Sequence, residues 1–164
     1  MLHTCIHGWW CISVQYNADT LILNPTSGNH QQAQRLAAYE NAHVVYTIGD
    51  DSLQDDYYTW WPFSLMIQWW FVRISVAWIN ILYHQYDMGL PSWSYVDTID
   101  LLLVDVSVWF DHAYAIARVT KAKTVVPINV LSSDDPIEFC RIVMLEHLGV
   151  PKYLKNGQYV VHDI

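Results

Sequence analysis

Basic residues are scarce in this chain. Eight Lys and Arg stand against sixteen Asp and Glu in 164 residues, for a formal charge of −8. All four lysines lie at or beyond Lys121, and from Asp50 to Asp111 nine aspartates meet a single base, Arg73. Nucleic-acid binding needs clustered Lys and Arg over the phosphates, so no nucleic-acid partner is expected. Cysteine is scarce as well. Cys5, Cys11 and Cys140 are too few, and odd in number, for a disulfide framework, and a reducing cytoplasmic location is the expectation. Residues 1–23 lack the basic start and long apolar core of a signal peptide. The one membrane candidate, 63–83, is broken by Gln68, Arg73 and Asn80. A charge near mid-span is costly in lipid, so no membrane partner is expected. Also missing are the Gly-x-Ser-x-Gly elbow, the Walker loop, Gly-x-Gly-x-x-Gly and His-Glu-x-x-His.

Aromatic residues, by contrast, are plentiful: nine Trp and eleven Tyr, within a hydrophobic content of 53%. Such a chain folds rather than staying disordered. Trp and Tyr serve both cores and contact surfaces. The aromatic stretch 63–83 is therefore expected to be buried in the protein or to form a homodimer contact.

Short apolar runs alternate with amphipathic stretches. Strands are expected at Leu21–Leu23, His43–Thr47, Leu101–Asp105 and Thr124–Ile128. The near-continuous run at 99–108 reads as a central parallel strand. Helices are expected over about 30–41, 52–61 and 111–121. A fourth follows the Asp135-Pro136-Ile137-Glu138 capping box and stops near Gly149 and Pro151. Residues 63–84 read as a buried helix, although Arg73 to Trp78 alternates as a strand would. This order predicts an α/β fold, a Rossmann-like three-layer sandwich with a mainly parallel sheet. It forms a single domain over 1–164, with 1–19 as an N-terminal strand or extension.

Ligands of such sheets bind beyond the carboxyl ends of the strands. There Asn24-Pro25-Thr26-Ser27-Gly28-Asn29 joins an apolar strand to a helical pattern. A tight turn into a helix N-terminus offers free N–H groups to an anion. Asn24, Thr26, Ser27, Gly28 and Asn29 are the candidate binding residues, with Asp105 and Ser107 across the cleft. Asp50, Asp51, Asp105 and Asp111 would repel a phosphate unless Mg²⁺ or Arg35 compensates. His3, Cys5 and His7 alternate near Cys11 in a pattern that suits zinc or copper. So short a stretch seldom closes a tetrahedron, and no metal centre is expected there.

The Asn24-Pro25-Thr26-Ser27-Gly28 turn resembles the opening motif of the nucleotide-binding domain of diacylglycerol-kinase-type lipid kinases, relatives of NAD kinases. Leu148-Gly149-Val150-Pro151 is similar to a later motif of that family. The resemblance implies a nucleotide, with Mg²⁺, as ligand. Where the family carries a glycine-rich phosphate loop, this chain reads Val104-Asp105-Val106-Ser107-Val108. Side chains there obstruct the close backbone approach a phosphate needs, so weak binding without turnover is expected. Asp100 to Ser107 with Ala122-Lys123-Thr124-Val125 also resembles the nucleoside 2-deoxyribosyltransferase group, with Tyr114 where its catalytic Glu would stand. A non-enzymatic scaffold or interaction domain, natural or artificial, is the third alternative.

Overall fold

The computed structural model describes residues 1–8, 11–24, 41–45, 56–68, 71–84, 98–107, 110–130, 136–155 and 157–162. Two sheets face each other. The first has the order β12-β1-β2-β3-β4, built from β1 (Leu2–Gly8), β2 (Cys11–Tyr16), β3 (Asp19–Leu23), β4 (Ala42–Val45) and β12 (Tyr159–His162). The second has the order β11-β10-β9-β8-β7-β6-β5. Its strands are β5 (Asp56–Trp60), β6 (Phe63–Gln68), β7 (Phe71–Val76), β8 (Ile79–His84), β9 (Leu101–Asp105), β10 (Thr124–Ile128) and β11 (Val150–Pro151). Helices α1 (Phe110–Thr120) and α2 (Pro136–Leu145) pack on the outer face of this second sheet.

Strand alternation builds the core. Leu2, Ile12, Val14, Leu21 and Leu23 of the first sheet meet Leu65, Ile74, Ile81, Tyr83, Leu101 and Leu103 of the second in one buried cluster. The intervening residues Leu82, Leu102, Val104 and Val125 point the other way. They pack with Ala113, Ile116 and Ala117 of α1 and Phe139 and Val143 of α2. β9 is buried along its whole length, as a strand covered on both faces must be. Gly149, in the turn before β11, has φ +136°, and a Cβ there would collide with the Ala122 carbonyl oxygen. Gly149→Ala is expected to cost about 2 kcal/mol, measured as a lowered melting temperature.

The expectation of one mainly parallel Rossmann-like sheet is overturned. β8, β9, β10 and β11 are parallel neighbours, but β5 to β8 and β1 to β3 are antiparallel meanders. Two-residue turns at Asn17-Ala18, Trp61-Pro62 and Ala77-Trp78 make three of these hairpins. Asn17 and Ala77 hold positive φ (55° and 52°) without the glycine that usually announces such a turn. The helix expected at 63–84 is replaced by the three strands β6, β7 and β8. Phe63, Leu65 and Ile67 point inward, while Ser64, Met66 and Gln68 are only half-buried. The expected helix at 52–61 is β5 from Asp56 onward, and 52–55 lie outside the described residues. The N-terminal segment is a hairpin inside the first sheet, where β1 also pairs with β12. The expected helix at 30–41 falls outside the described residues except for Asn41. Among the described residues, no helix is long and apolar enough to cross a membrane.

Candidate functional site

β8, β9 and β10 run parallel, so their carboxyl ends meet at one edge of the second sheet. Each of them delivers one polar residue there: His84, Asp105 and Asn129. Strand parity then separates them. Asp105 follows Leu101 and Leu103 on the face turned to the first sheet. His84 follows Leu82 on the face turned to the helices, where its ring lies 4.7 Å from Phe71 and 5.6 Å from His112 of α1.

Asp105 is 5% exposed and held from two sides. The Ser107 backbone N–H donates to its Oδ1 at 2.8 Å, and Asn129 Nδ2 donates to its Oδ2 at 2.9 Å. Ile128 pairs with Asp105 in the β9–β10 register, so the next residue reaches the carboxylate. Asn129 takes φ 55°, a left-handed conformation that Asn tolerates better than most residues. The Val106 N–H donates to the Ile128 carbonyl at 3.2 Å and continues the pairing past the strand end. A buried carboxylate fixed in this way is pre-oriented for a ligand approaching the edge.

Of the sequence-derived site residues, Asp105 and Ser107 come together through the backbone of Ser107. Asn24 directly follows β3 of the first sheet, buried, with φ 52° and its N–H donating to the Val45 carbonyl at 2.9 Å. Thr26, Ser27, Gly28 and Asn29 lie outside the described residues. Asn129 opens a strand-end loop, 129–135, that the sequence places at this edge, but it is not among the candidate binding residues. Its signal was a polar residue directly after an apolar strand, one step beyond the partner of Asp105. The deoxyribosyltransferase-like alignment also fails. Tyr114 stacks on Phe139 at 4.9 Å between the helices, its hydroxyl pushed up to about 12 by burial and then by nearby Glu138. Lys123 pairs with Asp100 at 2.7 Å.

Among the described residues, no three His, Cys, Asp or Glu gather into a metal-binding group. At β1, His7 Nε2 lies 2.8 Å from Ser13 Oγ and its Nδ1 lies 4.0 Å from Cys5 Sγ. Burial pushes the Cys5 thiol up to about 11 and that of Cys11 up to about 12, the latter helped by Cys5; Cys140 is raised by burial too. A raised pKa keeps the thiol protonated and unreactive. Native protein at pH 8 is therefore expected to react slowly with iodoacetamide, and all three cysteines to react promptly in denaturant; mass spectrometry of the adducts checks this.

No protein-family profile matches the sequence, and no curated protein matches it. Solved structures do match by shape. Igni18, described as a novel metallo hydrolase from the hyperthermophilic archaeon Ignicoccus hospitalis, superposes with a TM-score of 0.71 at 11% identity, covering 99% of each chain. YhfI from Bacillus subtilis, described as a metallo-β-lactamase fold protein, gives 0.67 at 11% identity over 97% of this chain and 98% of its own. Zn²⁺-bound PqqB from Methylobacterium extorquens gives 0.65 at 11% identity over 93% and 86%. The fold is thus metallo-β-lactamase-like. This overturns the lipid-kinase resemblance and, with it, the nucleotide-binding Rossmann reading.

Proposed function

We propose that the chain is a metal-dependent hydrolase of the metallo-β-lactamase fold, acting at the strand-end edge around Asp105. The observation that carries the reading is the buried, doubly anchored Asp105 carboxylate in a fold otherwise found in a metallo hydrolase. The donor chemistry favours a hard, oxygen-liganded divalent cation such as Mn²⁺ or Mg²⁺ over one that prefers imidazole. At this edge Asp105 is the carboxylate placed to hold it, while the His84 and His112 rings lie on the opposite, helix-covered face of the sheet. When bound, such a cation supplies Lewis acidity and an acidified water.

The chain's own contribution is positional. Asn129 and the Ser107 amide fix both oxygens of Asp105, and fully buried Leu103 lies two residues earlier on the same strand face. Removing an outer-shell partner of this kind commonly costs 10- to 100-fold in metal affinity or activity. Asn129→Ala is therefore expected to weaken Mn²⁺ binding by about 10- to 100-fold with the fold retained, measured by calorimetric titration. The activity test uses chelator-treated protein on chromogenic carboxylic and phosphate esters, with Mn²⁺, Mg²⁺ or Zn²⁺ restored separately. Turnover that returns with Mn²⁺ or Mg²⁺ supports the reading. No metal-dependent turnover on either ester class, with no cation bound, overturns it.

A further inference from the structure

We propose that β5 is a self-association edge, on which a second copy of this chain adds its own β5 antiparallel across a two-fold axis at Tyr58. β5 ends the second sheet, and among the described residues no strand covers its outer side. Such an edge is a template for another strand unless proline, lysine or a bulge blocks it. β5 contains none of these, and its one charged residue, Asp56 at its first position, would stand opposite Trp60 of the other copy rather than opposite another acid.

The hairpin geometry fixes which groups are offered. Trp60 and Phe63 flank a two-residue turn, and Tyr58 pairs with Leu65 two steps further along. Antiparallel ladders alternate hydrogen-bonded and non-bonded pairs. Trp60 and Tyr58 therefore bond inward to β6, while the N–H and C=O groups of Tyr57 and Thr59 face outward. With the axis at Tyr58, Tyr57 of one copy lies opposite Thr59 of the other. Both ends of the pairing then exchange backbone hydrogen bonds.

Charge and exposure favour a second copy as the occupant. The chain carries −8, so most faces of two copies repel, yet no charged residue occurs from Tyr57 to Gln68. Tyr57 is 65% exposed, and Trp61 and Trp78, on adjacent hairpin tips, are 88% and 72% exposed. Tyr57 on the edge and Trp61 at the β5–β6 tip beside it offer surface that gains from leaving water, and Trp78 stands two strands further in. The His43–Trp60 stack, 5.4 Å between centroids, holds Trp60 toward β4 and leaves Trp61 beyond the tip.

Sedimentation velocity at micromolar concentration tests the proposal. The wild-type chain is expected at twice its 19.1 kDa mass. Thr59→Pro, which removes an outward donor, and Tyr57→Lys, which puts like charges on either side of the axis, are each expected to give the monomer mass with unchanged circular dichroism. Should Thr59→Pro fail to fold, Tyr57→Lys decides, because that side chain is mostly in solvent. A wild-type monomer at all concentrations overturns the proposal, and so does a folded Tyr57→Lys protein that stays dimeric.

Discussion

Leu103→Ala is expected to destabilise the protein by about 3–5 kcal/mol in urea unfolding, the range for leucine truncations that leave a cavity. Leu103 is fully buried at the centre of β9 and packs within the cluster shared by both sheets. Neighbours fixed in two separate sheets cannot all collapse onto the space the side chain leaves. Leu145, at the end of α2 and 60% exposed, is the contrast. Its alanine variant is expected to change stability by no more than about 0.5 kcal/mol. Equal effects at the two positions would contradict the two-sheet core.

The second large effect falls at the site. Asp105→Ala is expected to lower metal-dependent hydrolysis by more than about 100-fold, since an outer-shell change alone reaches that size. The same change strips the acceptor from Asn129 Nδ2 and from the Ser107 N–H. Losing two part-buried hydrogen bonds costs about 0.5–1.5 kcal/mol each, so the variant is less stable but folded. Asp105→Asn separates the two effects. It keeps a carbonyl oxygen for one of these donors while removing the charge that a cation needs. Activity lost in both variants, with stability largely kept in Asp105→Asn, is the expected pattern in paired rate and melting measurements.

The parts of the fold legible in the sequence were those with strong local signals. The apolar run at 101–105, the Thr124–Ile128 strand, and the helices near 110–120 and 136–145 all form close to where composition and punctuation put them. Those elements form a parallel unit with its helices, common to Rossmann-like sandwiches and to this fold, so they could not tell the two apart. The difference lay in the hairpins. Asn17-Ala18 and Ala77-Trp78 turn without glycine, and Ala77 takes a left-handed conformation that its residue type does not advertise. The aromatic-rich stretch at 63–84 matched a buried helix because its polar residues are few. Its inward and outward alternation became decisive only once β6, β7 and β8 were paired.

At the site, Asp105 and Ser107 were legible as a strand end with hydroxyl and carboxylate groups. The place of Asn129 at a strand end was legible too, but its bond to Asp105 was not, because that depends on the β9–β10 register, a relation between distant segments. His84 shows the same limit in reverse. It ends its strand beside Asp105, but parity turns it to the helix side, against Phe71.

Asp105 is the anchor of the proposed cation site. The most direct test is calorimetric titration of Mn²⁺ into chelator-treated wild-type protein and into Asp105→Asn. Saturable binding to the wild type that is lost in the variant is the predicted result. No binding to either protein, or equal binding to both, would contradict it.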